Sequence, residues 1–439
     1  MKSQPLLQVT GELAVTGKLK PPSVSLTWQT RRILFLLAAC IALMMTGYGI
    51  VLPVFAKRFG ELGYGVQALG FMTMGFAFAQ FLLSPFMGSF ADRYGRRPLI
   101  LMALAGEVLA NLTYIYAQSI PLYVIVRFFQ GAITAGLLPA ALGIVGDKVP
   151  EDQHAQWTGV IMGSYGAGFI LGPALGGLLF ERWGYAAPFA VSGSLALIGL
   201  ILALLMIPET RPTTLRTQTL KLDRGQTKWR TIWAALPRPV SLFASLLVID
   251  FIATFAFAFI EPQMALYAYN QLSLSPIQLG IIVGVYGLAM LLGQGFLGTL
   301  SDRLGRKPVM VVGLLLNASL YLGLIFVKSF NLLCLVALIA GLGDALFIPA
   351  IGAAYLDIAE PARRSLIMGI KGSGAALAGV VGPLLVAIIS AWATPQSIFA
   401  ISAGATLGAI LLTLFFLKGR LLVEKRVVSE NEQIQPIIS

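Results

Sequence analysis

Five ionisable residues sit inside long apolar runs of this 439-residue chain: Glu107, Arg127, Asp250, Glu261 and Asp344. A charge held in hydrocarbon is costly, so each is a functional candidate by default. A carboxyl in such surroundings can take up and release a proton, because burial penalises its charged form. Asp250 and Glu261 are eleven residues apart, close to three helical turns, and so share a face. Asp344 lies near the centre of its run and Glu261 toward the outer end of its own. Arg127 falls on one helical face with Gln130, Gly131 and Thr134, within reach of Glu107. This inventory suits proton handling and excludes an enzyme. No nucleophile–base pair, metal-ligand cluster or G-x-x-x-x-G-K-[ST] nucleotide loop occurs, and the single histidine, His154, sits in a short polar connector. Cys40 and Cys334 lie in apolar segments, so no disulfide framework, metal or other cofactor is expected.

The elements that must hold these residues are membrane spans. Hydrophobic residues make up 57% of the chain and charged residues 11%, against about 25% charge in soluble domains. With a mean hydropathy of +0.83, most of the surface must face lipid. Apolar runs of spanning length fall at 32–56, 66–91, 98–117, 121–146, 156–180 and 186–207, then at 240–266, 276–299, 308–327, 330–356, 366–392 and 396–417. They predict an all-helical protein of twelve spans in two six-helix bundles, 32–207 and 240–417. A linker at 208–239 separates the bundles, between tails at 1–31 and 418–439. With the N-terminus inside, 25 of the 31 basic residues face the cytoplasm, which fixes both tails and the linker there. The net charge of +12 is then explained by topology and by anionic lipid heads rather than by nucleic acid. Lys371, near the start of its run, is expected to snorkel to that surface. A monomer in the cell inner (plasma) membrane, among lipids, is the expectation.

The two bundles repeat one pattern. Gly88-Ser-Phe-Ala-Asp92-Arg93-Tyr-Gly95-Arg96-Arg97-Pro98 recurs as Gly298-Thr-Leu-Ser-Asp302-Arg303-Leu-Gly305-Arg306-Lys307-Pro308, an offset of 210. The same offset carries Gly131 to Gly341, Pro139 to Pro349, Asp147 to Asp357 and Gly172-Pro173 to Gly382-Pro383. Six helices per unit make the repeats parallel, with a substrate site at their interface near the midplane.

At these residues the chain resembles the major facilitator superfamily, and more narrowly its twelve-span drug:proton antiporters. Gly88 to Arg97 is similar to the superfamily's loop between the second and third spans, and Arg127-Phe-Phe-Gln130-Gly131 to the fourth-span motif of proton-coupled members. In the fifth span, Gly159, Gly168, Gly172-Pro173 and Gly176-Gly177 resemble the antiporter series. Small residues at spacings of four let helices pack closely, and Pro173 permits a bend. The resemblance implies secondary active, proton-coupled efflux of small apolar or amphipathic compounds by alternating access. It also implies a cytoplasmic gate of Gly88, Asp92, Arg93, Gly95, Arg96 and Arg97 with Asp147, and a degenerate second copy of Asp302, Arg303, Arg306 and Lys307. The seventh and tenth spans line the superfamily's cavity, so Asp250, Glu261 and Asp344 become proton-coupling candidates beside Glu107 and Arg127. Tyr48, Phe78, Gln130, Tyr165, Phe255, Phe259, Tyr286 and Phe347 are candidates for lining it. One departure is plain: many relatives carry an acid in the first span, where this chain has Met44, Met45 and Thr46. Export of a sugar, a metabolite or a lipid-linked sugar, or a non-transporting sensor, are the competing readings.

Overall fold

The computed structural model describes residues 26–150, 153–210, 237–297, 300–359 and 364–417. The tails and the linker expected at 208–239 therefore fall largely outside the described residues. Among these residues the fold is all helix, and twelve helical segments are long and apolar enough to span a membrane. The first half of the chain forms α1 (Trp28–Glu61), α2 (Val66–Tyr94), α3 (Arg96–Tyr116), α4 (Ile120–Thr134), α5 (Leu137–Lys148), α6 (His154–Trp183) and α7 (Ala186–Met206). The second forms α8 (Val240–Asn270), α9 (Pro276–Leu297), α10 (Leu300–Leu304), α11 (Arg306–Phe326), α12 (Phe330–Ile358), α13 (Arg364–Ile389) and α14 (Pro395–Phe416).

Local chemistry sets several of these limits. Thr27 opens α1 by accepting the Thr30 amide at 3.3 Å, and Thr394 opens α14 by accepting the Ser397 amide at 3.2 Å. Gly95 and Gly305 precede α3 and α11 at φ 110° and 92°, where a side chain would be strained. The fourth span, predicted as one helix over 121–146, is broken at Ala135–Gly136. Pro139, four residues on, has no amide to offer the Ala135 carbonyl. Its repeat partner Pro349 is absorbed within a continuous α12.

Packing follows the duplication. α1 lies on α6 and α7, α2 on α4, and α3 on α7; in the second half α8 lies on α13 and α14, α9 on α12, and α11 on α14. Across the halves, α6 packs on α9 and α2 on α13, two contacts related by the same offset. The seam is filled at the end of the molecule away from the basic loops. There the Tyr269 hydroxyl donates to the Pro53 carbonyl at 3.0 Å, and Glu181 accepts the Ile277 amide at 3.0 Å. A Cβ on Gly70 would come within 2.8 Å of Ala387 Cβ, and one on Gly280 within 2.7 Å of Ala174 Cα. Toward the basic loops the helices stand apart: a Cβ on Gly146, Gly159, Gly163, Gly369 or Gly372 would meet nothing within 4 Å. The halves are shut at one end and splayed at the other.

Candidate functional site

A central cavity of about 500 Å³ lies between the halves. Its wall combines Met44, Met45 and Tyr48 from α1, Phe76 and Gln80 from α2, Thr134 and Pro139 at the α4–α5 break, Tyr165 from α6, and Phe257 and Glu261 from α8. Among the described residues Glu261 is its one carboxylic acid. A narrow extension of about 60 Å³ runs toward the closed end past Tyr48, Phe55, Thr73, Phe76, Arg127 and Glu261. Glu261 is therefore not a wetted residue at the outer end of its span. The seventh span runs on to Asn270, beyond the expected limit of 266, which draws Glu261 inward to the cavity.

Arg127 is 3% exposed and does not present its charge freely to that extension. Its guanidinium lies 4.6 Å from the Phe55 ring centre, 5.1 Å from Tyr48 and 5.3 Å from Phe76, a cage of cation–π contacts. Its Nη1 donates to Gln130 Oε1 at 3.0 Å, and Gln130 in turn donates to Glu107 Oε2 at 2.8 Å. The expected Glu107–Arg127 pairing is thus relayed through an amide. Asn111 also donates to Glu107 at 3.1 Å, and the Tyr114 hydroxyl to Gln130 at 2.9 Å. Each of these side chains makes at least one directed bond, as charge away from water requires, although Asn111 Oδ1 has no partner among the described residues.

The remaining acids occupy two other settings. Asp250 on α8 lies 3.3 Å from Lys371 on α13, so the lysine is held by an intramembrane ion pair rather than reaching the surface. Asp250 and Glu261 share a helix but not their surroundings. Asp344 on α12 accepts the Asn317 amide at 2.9 Å and the Tyr286 hydroxyl. The repeat offset pairs Asn317 with Glu107 and Asp344 with Thr134, so the acid has changed helices between the halves.

The sequence profile described as Major Facilitator Superfamily matches residues 34–261 and again 246–439. The chain belongs to that superfamily. It is a secondary transporter of a small-molecule substrate, and not an enzyme. Multidrug resistance protein MdtG of Salmonella arizonae is 28% identical over 89% of this chain and 96% of that protein; the Salmonella typhi protein gives the same figures. Among solved structures, the human organic anion transporter MFSD10 (TETRAN) superposes with a TM-score of 0.64 at 22% identity, covering 88% of this chain and 99% of that one. A bacterial homologue of the lysosomal transporter Spinster, in its inward-facing and unoccupied conformation, gives 0.69 at 15% identity, covering 89% and 96%. Those likenesses are of fold.

In this superfamily member the basic loops close within each half. Arg96 Nε lies 3.4 Å from Asp147, and Arg306 Nε lies 3.0 Å from its repeat equivalent Asp357. Arg97 donates to the Leu204 carbonyl at 2.6 Å, and Lys307 to that of Leu414 at 2.7 Å, again 210 residues on. Asp302 meets Arg306 at 2.5 Å. Arg303 is exposed, with no ion pair among the described residues. Gly88 and the side chains of Asp92 and Arg93 lie outside what the structure describes. Glu209, unremarked in the sequence, accepts the Arg96 and Arg97 amides at 3.0 and 3.3 Å and so caps α3 with a carboxylate.

The fifth-span glycines divide by partner. Gly168, Gly172 and Gly176 press α6 onto the α1 backbone, whereas Gly177 presses onto Pro276 of α9 in the other half. Gly159 faces open space and packs against nothing. Of the proposed cavity residues, Tyr48 and Tyr165 line the central cavity. Gln130 is buried in the Arg127 relay, Phe259 and Phe347 are buried in the hydrophobic cores, and Phe255 packs against one of them. Phe78 is 41% exposed, next to Phe128. Phe76, Phe257 and the two methionines line the wall instead. Their type was visible in the sequence, but their helical phase was not, because the apolar spans give no polar face to orient them.

Proposed function

We propose that this transporter exports amphipathic organic cations from the side of its basic loops, the cytoplasm, in exchange for protons. The observation that carries this reading is the composition of the central cavity, in which Glu261 is, among the described residues, the one carboxyl, set among Met44, Met45, Tyr48, Phe76, Tyr165 and Phe257. Aromatic and thioether walls accept varied apolar bodies, and rings attract cations. A lone carboxylate supplies the counter-charge and binds a proton once the cation has left. Because cation and proton compete for that group, the exchange is a property of one site. The 28% identity to multidrug resistance protein MdtG supports the same reading.

An organic anion, the cargo named for MFSD10, would need Arg127, which is caged by three rings and bonded to Gln130. A sugar, a metabolite or a lipid-linked sugar would need several amides and carboxyls, where Gln80 and Thr134 are the uncharged polar side chains on the wall besides the tyrosines. The test is equilibrium binding of ethidium to the purified protein. Glu261→Gln should weaken binding roughly 30-fold or more, as expected for losing a desolvated charge partner. Unchanged affinity in Glu261→Gln would refute the assignment.

A further inference from the structure

Asp344 has no role in a one-carboxylate exchange, yet its setting is specific. Each carboxylate oxygen has one donor, Asn317 from α11 and Tyr286 from α9. Among the described residues no lysine, arginine or histidine pairs with it. The ionisable groups that feel its charge are Tyr286, which also donates to it, and Tyr321, both phenols. A carboxylate inside the membrane without a counter-charge is tolerated chiefly by binding a cation. A metal ion does not fit, because it needs several oxygens converging on it. Here both neighbours aim hydrogens at the carboxyl. A proton needs one oxygen lone pair and no further ligand.

The site also has a route to the transport cycle. The Tyr286 ring stacks on Phe257, with centres 5.9 Å apart and planes 17° apart, and Phe257 is part of the central cavity wall. Tyr286 belongs to α9, whose Gly280 and Gly287 lie against Pro173 and Ile170 of α6 in the other half. Gly341 of α12 packs on the Tyr286 carbonyl. Rocking of the halves about that seam therefore moves the helix that supplies one of the two donors to Asp344.

We propose that Asp344 is a second proton site, separate from the substrate carboxylate, and that one monovalent cation leaves as two protons enter. This rests on the export reading above, with Glu261 binding the cation in exchange for the first proton. The balance is one positive charge out and two in, so each cycle moves one net charge inward. Export is then driven by an inside-negative potential alone, whereas exchange at Glu261 alone would be electrically neutral.

The test uses the full-length protein in liposomes, with the pH gradient and the membrane potential imposed independently by ionophores and ethidium as cargo. The wild type should export under potential alone. Asp344→Asn should lose that response by about tenfold or more, a loss of one coupled charge per cycle, while keeping pH-driven exchange and ethidium affinity. A wild type indifferent to potential, or an Asp344→Asn protein that keeps the response, overturns the proposal. Tyr286→Phe, which removes one hydroxyl and spares the ring stack, should displace the pH profile of the potential-driven component without changing ethidium affinity; an unmoved profile also counts against it. Failure of the wild type to bind ethidium would instead sink the export reading. Asp344 is then judged by the infrared difference spectrum of wild type minus Asp344→Asn, in which the other buried acids, common to both proteins, cancel and a protonated-carboxyl band should remain; a difference spectrum without that band overturns the proton site.

Discussion

Replacing Gly177 by alanine puts a methyl group into the seam between α6 and α9. Its Cβ would stand 2.5 Å from the Pro276 carbonyl carbon and 2.7 Å from the Ile277 amide nitrogen. Both are backbone atoms, so no side-chain rotation relieves the clash. Restoring van der Waals contact needs the helices to part by about 1 Å, and overpacking of this kind costs about 1–3 kcal/mol. Because the contact joins the two halves, the cost falls on the conformation that is shut at this end. A conformation open there escapes it, so the ratio of the two should shift by about 5- to 150-fold. Gly172→Ala is the control. Its Cβ would stand 2.5 Å from Gly49 Cα, but that clash lies within the first half and burdens both conformations alike. The assay is maleimide labelling of Thr73→Cys, which lines the narrow extension near the closed end, with Cys40 and Cys334 replaced by serine. Reagent added from that end should label faster in Gly177→Ala by the stated factor, while Gly172→Ala lowers the melting temperature without changing the rate. Equal labelling rates in the two variants would refute the assignment of Gly177 to the moving seam.

Two further perturbations probe the buried charges. Gln130→Leu removes the bridge between Arg127 and Glu107 and leaves both without their shared partner, so stability should fall by about 3 kcal/mol; thermal melting in detergent measures it, and a melt within error of the wild type would mean that the relay does not support the fold. Asp250→Asn and Lys371→Met should each destabilise by about 2–4 kcal/mol, whereas the double variant should lose less than the sum; strict additivity would show that the 3.3 Å pair is not coupled.

Much of the candidate site was legible as residue type and little of it as neighbourhood. Glu261 stood out as a charge in an apolar run, but its place on the cavity depended on how far α8 extends past Pro262. Arg127 and Glu107 were visible together, and the Gln130 relay between them was not, because it needs side chains from α3 and α4 at one depth. Glu209 gave no signal in the sequence. Its role depends on the end of α7 returning to the start of α3, which packing decides. Phe259 and Phe257 are two residues apart and chemically identical, yet one is core and the other cavity wall.

The sequence by itself determined the solvent, the number of spans and the duplication, and it set the expected sidedness of the basic loops. These follow from hydrophobicity summed over about 20 residues and from charge counted per loop, and neither quantity needs a partner helix. The 210-residue offset also relates two contacts in the structure, Arg96–Asp147 and Arg306–Asp357. Only the tertiary structure decided which end is shut, which acid faces the cavity, and that Lys371 belongs to Asp250. Those outcomes depend on the rotation of each helix about its axis. In a span apolar on every side, that rotation is set by close packing of glycines and by a few buried polar bonds, not by any pattern along the chain.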